Sequence, residues 1–195
     1  MRIVVALGGN ALLHRGEQPE ASTQTRRVAE VAPALARLAA AHELVLVHGN
    51  GPQVGLLAAE NVTDATISTA YPLGDMVAES QGLIGLWLQQ ALHNAGAAKP
   101  SVTGVSQTVV AETDPAWQHP TKFIGPAYSA ADSDEATRKY GWSFARDGQS
   151  SRRVVASPEP LEVIEIDIID RLLGAGITVI AGGGGGVPVK RGPDG

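Results

Sequence analysis

Ile3-Val4-Val5-Ala6-Leu7-Gly8-Gly9-Asn10 opens the chain with five apolar residues, three of them β-branched, that run directly into paired glycines. A run this short, and shorter than a secretory hydrophobic region, reads as a buried strand. Leu44 to Val47 repeats the pattern and ends on His48-Gly49-Asn50-Gly51-Pro52-Gln53. Between the two, Val28, Val31, Ala32, Leu35, Leu38 and Ala39 recur at spacings of three and four, which predicts a helix over Thr25 to Ala41 with one apolar stripe. Strand, helix and strand make a βαβ unit. Further along, Val105 to Val110 and Ile177 to Ala181 read as strands, and Met76 to Asn94 and Glu165 to Leu173 as helices, with Gly96 and Gly174 as stop signals. The alternation predicts an α/β fold with a mainly parallel sheet.

Composition narrows the class. Glycine accounts for 23 of 195 residues, above the usual share of about 7%. It has no collagen period and sits beside 44% hydrophobic residues, so the chain is globular. A chain of this length supports one core with a small appended lobe. With 15 basic and 20 acidic residues the net charge is -5, which disfavours a nucleic-acid partner. The longest uncharged stretches, Ser80 to Ala98 and Leu172 to Val189, are broken by polar residues or glycines, so no membrane span is expected. The absence of cysteine removes disulfides, thiolate metal sites and a Cys nucleophile, and fits a cytoplasmic location.

Between 111 and 160 the composition shifts: five prolines, Trp117, Phe123 and Tyr128, and a basic run from Arg138 to Arg153 interrupt the α/β pattern. This stretch is expected to leave the sheet and return to it as a small protruding, lid-like lobe.

Three of the four strands end in glycine: Gly8-Gly9-Asn10, Gly49-Asn50-Gly51, and the run Gly182 to Gly186. In open α/β sheets the ligand lies beyond the carboxyl ends of the strands, and backbone amides unobstructed by Cβ atoms form nests for phosphate oxygens. Any one glycine turn is weak evidence, since tight turns need glycine anyway; three at one edge predict an anion site, with phosphate the expected guest. The sequence lacks Gly-Lys-Ser/Thr, a strict G-x-G-x-x-G, a nucleophile elbow and His-Glu-x-x-His. The five histidines lack metal-ligand spacing, and no protein-held metal is expected. His48, at a strand end, is the one to watch.

Val5 to Leu12, His48 to Gly55, Pro120-Thr121-Lys122-Phe123-Ile124-Gly125-Pro126 and Gly182 to Pro188 resemble, in order and separation, the signature blocks of carbamate kinases, within the amino-acid kinase superfamily. The resemblance implies a three-layer αβα sandwich and reversible phosphoryl transfer between ATP and carbamate, often run toward ATP on carbamoyl phosphate from arginine breakdown. It also implies ATP or ADP with Mg2+ and a homodimer. Carried onto this sequence, it makes Gly8, Gly9, Asn10 and Lys122 catalytic, places carbamate at Gly49, Asn50 and Gly51, and puts nucleotide phosphate at Gly183 and Gly184. His119 and Phe123 depart from the family's usual Asn and Pro.

Carbamate kinases are longer, and place a second lysine and most nucleotide contacts after the glycine-rich strand. The resemblance therefore implies an incomplete C-terminal half in which the nucleotide side is missing. It also implies a sheet with an unpaired edge and thin helix cover on one side. Poor activity of the chain alone is one expectation. The alternatives are a regulatory or inactive anion-binding form of this fold, and a kinase for another small acid.

Overall fold

The computed structural model describes residues 1–14 and 16–192, and for Asn10 the backbone alone. In chain order the first half contains β1 (Arg2–Leu7), α1 (Gly9–Leu12), α2 (Ala21–Ala41), β2 (Glu43–His48), α3 (Gly51–Thr63), α4 (Leu73–Asn94), β3 (Ser101–Thr103) and β4 (Gln107–Val110). The second half contains β5 (Lys122–Tyr128), α5 (Ala130–Tyr140), β6 (Ser143–Asp147), β7 (Ser150–Val155), β8 (Pro160–Val163), α6 (Ile166–Gly174), β9 (Thr178–Ile180) and β10 (Val187–Val189).

The main sheet has the order β1-β2-β9-β3, with every neighbouring pair parallel. Its carboxyl ends therefore all lie along one edge. One face is covered by α2 and α4. The stripe Val28, Ala32, Leu35 and Ala39 packs with Ile84, Leu88 and Leu92 against Leu44, Leu46 and Ile180 in the largest buried cluster. Burial of each such branched aliphatic side chain is worth about 1.5–3 kcal/mol. The opposite face is covered by α6, whose Ile169, Leu172 and Leu173 meet Val45, Val179 and Ala181. The molecule is thus a three-layer α/β/α sandwich. The third layer is thin, and Val4 on β1 remains 62% exposed on that side.

The predicted strand Val105 to Val110 needs correction. The strand that pairs with β9 is β3, at Ser101–Thr103, and the chain then breaks at Gly104 to Ser106 before β4 enters a second sheet of order β10-β4-β8. The break falls at the buried Ser106, whose N–H and hydroxyl are bonded to Gln81 of α4 and to the β9 corner, while its carbonyl accepts from the Val187 N–H at the start of β10. Helix α2 begins four residues earlier than its apolar stripe indicated, and α4 begins after Pro72.

From Lys122 to Val155 the chain forms a third, antiparallel sheet of order β5-β7-β6 carrying α5. Helix α5 is well capped: the Ser129 hydroxyl accepts from the Asp132 N–H, and Gly141 closes it at φ +68. The ends of the 111–160 stretch are clipped together by Asp114, whose carboxylate accepts from the backbone N–H groups of Ala116 and Glu159.

Candidate active site

Because Leu7 and His48 are in register, the first two glycine corners leave the sheet side by side. The Gly49 N–H donates to the Leu7 carbonyl at 2.9 Å. A Cβ on Gly49 would stand 3.5 Å from the Gly9 nitrogen, so the two corners lie in contact range of each other. Gly8 precedes the single turn α1, and both Gly8 and Gly9 are exposed. Helix α3 starts at Gly51 with Pro52 in its first turn, and no side chain caps it. Its leading amides and the positive end of its dipole therefore face the same edge.

The third corner closes onto the second. Gly182, Gly184, Gly185 and Gly186 all have positive φ, a region open mainly to glycine. A Cβ at Gly183 would fall 2.6 Å from His48 Nε2, and one at Gly184 would overlap the side-chain amide of Asn50. Asn50 is fully buried, and its Nδ2 donates to the Ser80 hydroxyl at 2.8 Å. His48 is buried with Nδ1 3.0 Å from the Gly49 carbonyl; burial holds its pKa below the ordinary 6.5, which keeps the ring neutral. The ring is a spacer between two corners, with its edge turned to Gly183.

Lys122 reaches the same place from the start of β5. Its ammonium donates to the Gly184 carbonyl at 2.7 Å, and burial lowers its pKa below the usual lysine value. The antiparallel sheet is brought this close by a contact of bare backbones. Gly125, at φ +70 in the bulge of β5, lies directly on Gly55 of α3, where a Cβ on Gly55 would overlap Gly125. A desolvated cation above converging amides suits a multiply charged anion.

Gly8, Gly9, Gly49, Asn50, Gly51, Lys122, Gly183 and Gly184 thus belong to one constellation; the side chain of Asn10 lies outside the described residues. The sequence reading missed Ser80, Gln81, Ser106 and Thr108, all buried behind the corners. One signal was available: Met76, Ser80, Ile84 and Leu88 run at four-residue intervals, so Ser80 occupies a core position on α4. Among the described residues no group of three metal-ligating side chains stands together. The donors here are amides and an ammonium, which fit phosphate oxygens and do not coordinate Mg2+.

Residues 1–193 match the model of the amino acid kinase family. Carbamate kinase of Escherichia coli (strain K12) is 49% identical over 187 residues, which cover 96% of this chain and 63% of that protein. Carbamate kinase from Giardia lamblia bound to citric acid superposes with a TM-score of 0.93 at 37% identity, covering 100% of this chain and 65% of that one. Its complex with AMP-PNP gives 0.83 at 37% identity, covering 100% and 64%. The chain spans about 63% of the length of these curated carbamate kinases. The match over almost all of its residues makes this chain a member of the amino acid kinase family.

Proposed function

We propose that the site belongs to an ATP:carbamate phosphotransferase, passing a phosphoryl group between carbamate and a nucleotide in either direction. The observation that carries this reading is the meeting of three glycine corners beneath the Lys122 ammonium, itself 2.7 Å from the Gly184 carbonyl. The named activity of the similar proteins, and the AMP-PNP complex of one of them, support it. In this reading Gly49, Asn50 and Gly51 hold the carbamate, and Gly8, Gly9 and Asn10 face the phosphoryl group in flight. Gly183 and Gly184 take the nucleotide phosphate, and residues 111–160 act as a lid carrying Lys122. The nucleotide brings Mg2+ with its phosphates. A cytoplasmic homodimer working toward ATP in arginine breakdown is the setting that suits such an enzyme.

The chemistry asks little of a base. Carbamate is already an anion, so the barrier lies in bringing two negative groups together and spreading charge over the phosphoryl oxygens. Amide donors held by strand ends act without reorganising, and Lys122 supplies the neutralising cation. The test is a coupled assay for ATP formed from carbamoyl phosphate and MgADP, with Lys122→Ala beside the parent. Loss of a transition-state cation should slow turnover at least tenfold, about 1.4 kcal/mol. An unchanged rate removes Lys122 from the mechanism, and binding of carbamoyl phosphate without ATP formation favours the regulatory, anion-binding alternative.

A further inference from the structure

We infer that Gln81 on α4, acting through Ser106, is the positioning residue for the third glycine corner, while its neighbour Ser80 positions the second corner through Asn50. One turn of one helix then sets the spacing between the carbamate side and the nucleotide side. This inference rests on the functional reading above for its kinetic part only.

The bonds leave little slack. Gln81 is 1% exposed, and its Oε1 accepts from both the Ser106 N–H at 3.0 Å and the Ser106 hydroxyl at 2.9 Å. Its Nε2 donates to the Ser106 carbonyl at 3.2 Å. The Ser106 hydroxyl, its proton spent on Gln81, then accepts from the Gly182 N–H at 2.7 Å. Gly182 is the first left-handed residue of the corner, so this bond fixes where the run turns away from β9. Gln81 also touches the run sterically: a Cβ on Gly183 would fall 2.9 Å from its Cγ. Farther along, the Thr108 hydroxyl donates to the Gly185 carbonyl at 2.7 Å.

Ser80 does the matching work one residue earlier. Its hydroxyl donates to the Val77 carbonyl at 2.8 Å and accepts from Asn50 Nδ2, which holds the Asn50 amide as the wall against which Gly184 rests. Burying a serine and a glutamine at 0% and 1% exposure gains no more stability than an apolar pair of similar shape would. What the polar pair adds is direction, because each bond specifies where one backbone amide or one side-chain amide points.

The test compares Ser106→Ala and Gln81→Leu with the parent and with Ser106→Thr, which keeps the hydroxyl. Amide hydrogen exchange read by NMR should show Gly182 exchanging at least tenfold faster in Ser106→Ala, with Gly49 unchanged and the parent rate restored in Ser106→Thr. In the coupled assay the KM for ADP should rise at least fivefold while the KM for carbamoyl phosphate stays within twofold. Unchanged exchange at Gly182 in Ser106→Ala overturns the inference. So does uniform acceleration across the sheet with both KM values moving together, which is the mark of a merely structural pair. If Gln81→Leu does not fold, the single-atom change Ser106→Ala still decides. Where the parent chain forms no ATP, the kinetic arm falls away with the functional reading it rests on, and exchange at Gly182 alone judges the inference.

Discussion

His48 shows how one side chain ties stability to pH. Its imidazole is buried between the second and third corners, and the missing hydration favours the neutral ring, so its folded pKa lies below 6.5. In the unfolded chain the ring takes up a proton as pH falls through about 6.5, before the folded ring does. Stability from this residue is therefore fully present above that value and declines as the pH drops toward the folded pKa. Denaturant midpoints at pH 7.5 and pH 5 should fall apart for the parent chain and lie closer together in His48→Gln. Lys122 follows the same desolvation logic at the same place. Burial lowers its pKa, and the Gly184 carbonyl is its only hydrogen-bond acceptor among the described residues. A doubly charged guest should push its titration back up toward the ordinary lysine range, which a carbon-13 titration of its Cε with and without carbamoyl phosphate would read. The glycine corners were legible because backbone without Cβ at strand ends has a local cause. Gln81 and Ser106 were not, because their roles arise from partners 25 and 76 residues away.

At the scale of elements, the decisive contact is α3 against β5. Gly55 and Gly125 touch backbone to backbone, so the helix and the bulged strand approach more closely than any side chain would permit. Gly55→Ala places a methyl group inside Gly125, where the neighbour is main chain and cannot rotate away. Overpacking of this kind costs about 1–3 kcal/mol or more, and the denaturant midpoint should drop accordingly. The same variant should lose activity beyond its stability loss, because the displaced strand begins at Lys122. Helices α2, α4 and α6 and strands β1, β2 and β9 were readable in the sequence, since α2 carries one apolar stripe and β1 and β2 are unbroken apolar runs; α3 and β5 were not. Strands β3 and β7 were not readable either. In β3 a single valine lies between Ser101 and Thr103, and in β7 the paired arginines Arg152 and Arg153 face aromatic rings, with Arg152 over Phe123 and Arg153 over Trp142. Cation–π packing of this type buries basic residues that a hydropathy pattern assigns to solvent.

For the whole molecule, the two sides of the main sheet are unequal. Helices α2 and α4 seal one side, whereas on the other α6 leaves Val4, Ile166 and Ile168 between 50% and 62% exposed. No helix among the described residues is long and apolar enough to cross a membrane. The strand order puts β9 between β2 and β3, and among the described residues β3 has β9 as its only partner in that sheet. A version of the chain ending at Gly176 would lack the strand that joins them. We expect such a chain to lose its cooperative thermal transition, as circular dichroism would show, even though every residue of β1, β2 and β3 is still present.

That placement also sets an order of events during synthesis. The pairings of Val45 with Val179 and Val102 with Val179 bring together segments that a ribosome releases far apart in time. Until the last of them has left the exit tunnel, the earlier strands wait with hydrogen-bonding edges open, so the nascent chain passes through a long sticky interval in which holdase chaperones would find it. Such remote pairings close slowly, because the entropy of joining distant ends is lost before the contacts repay it.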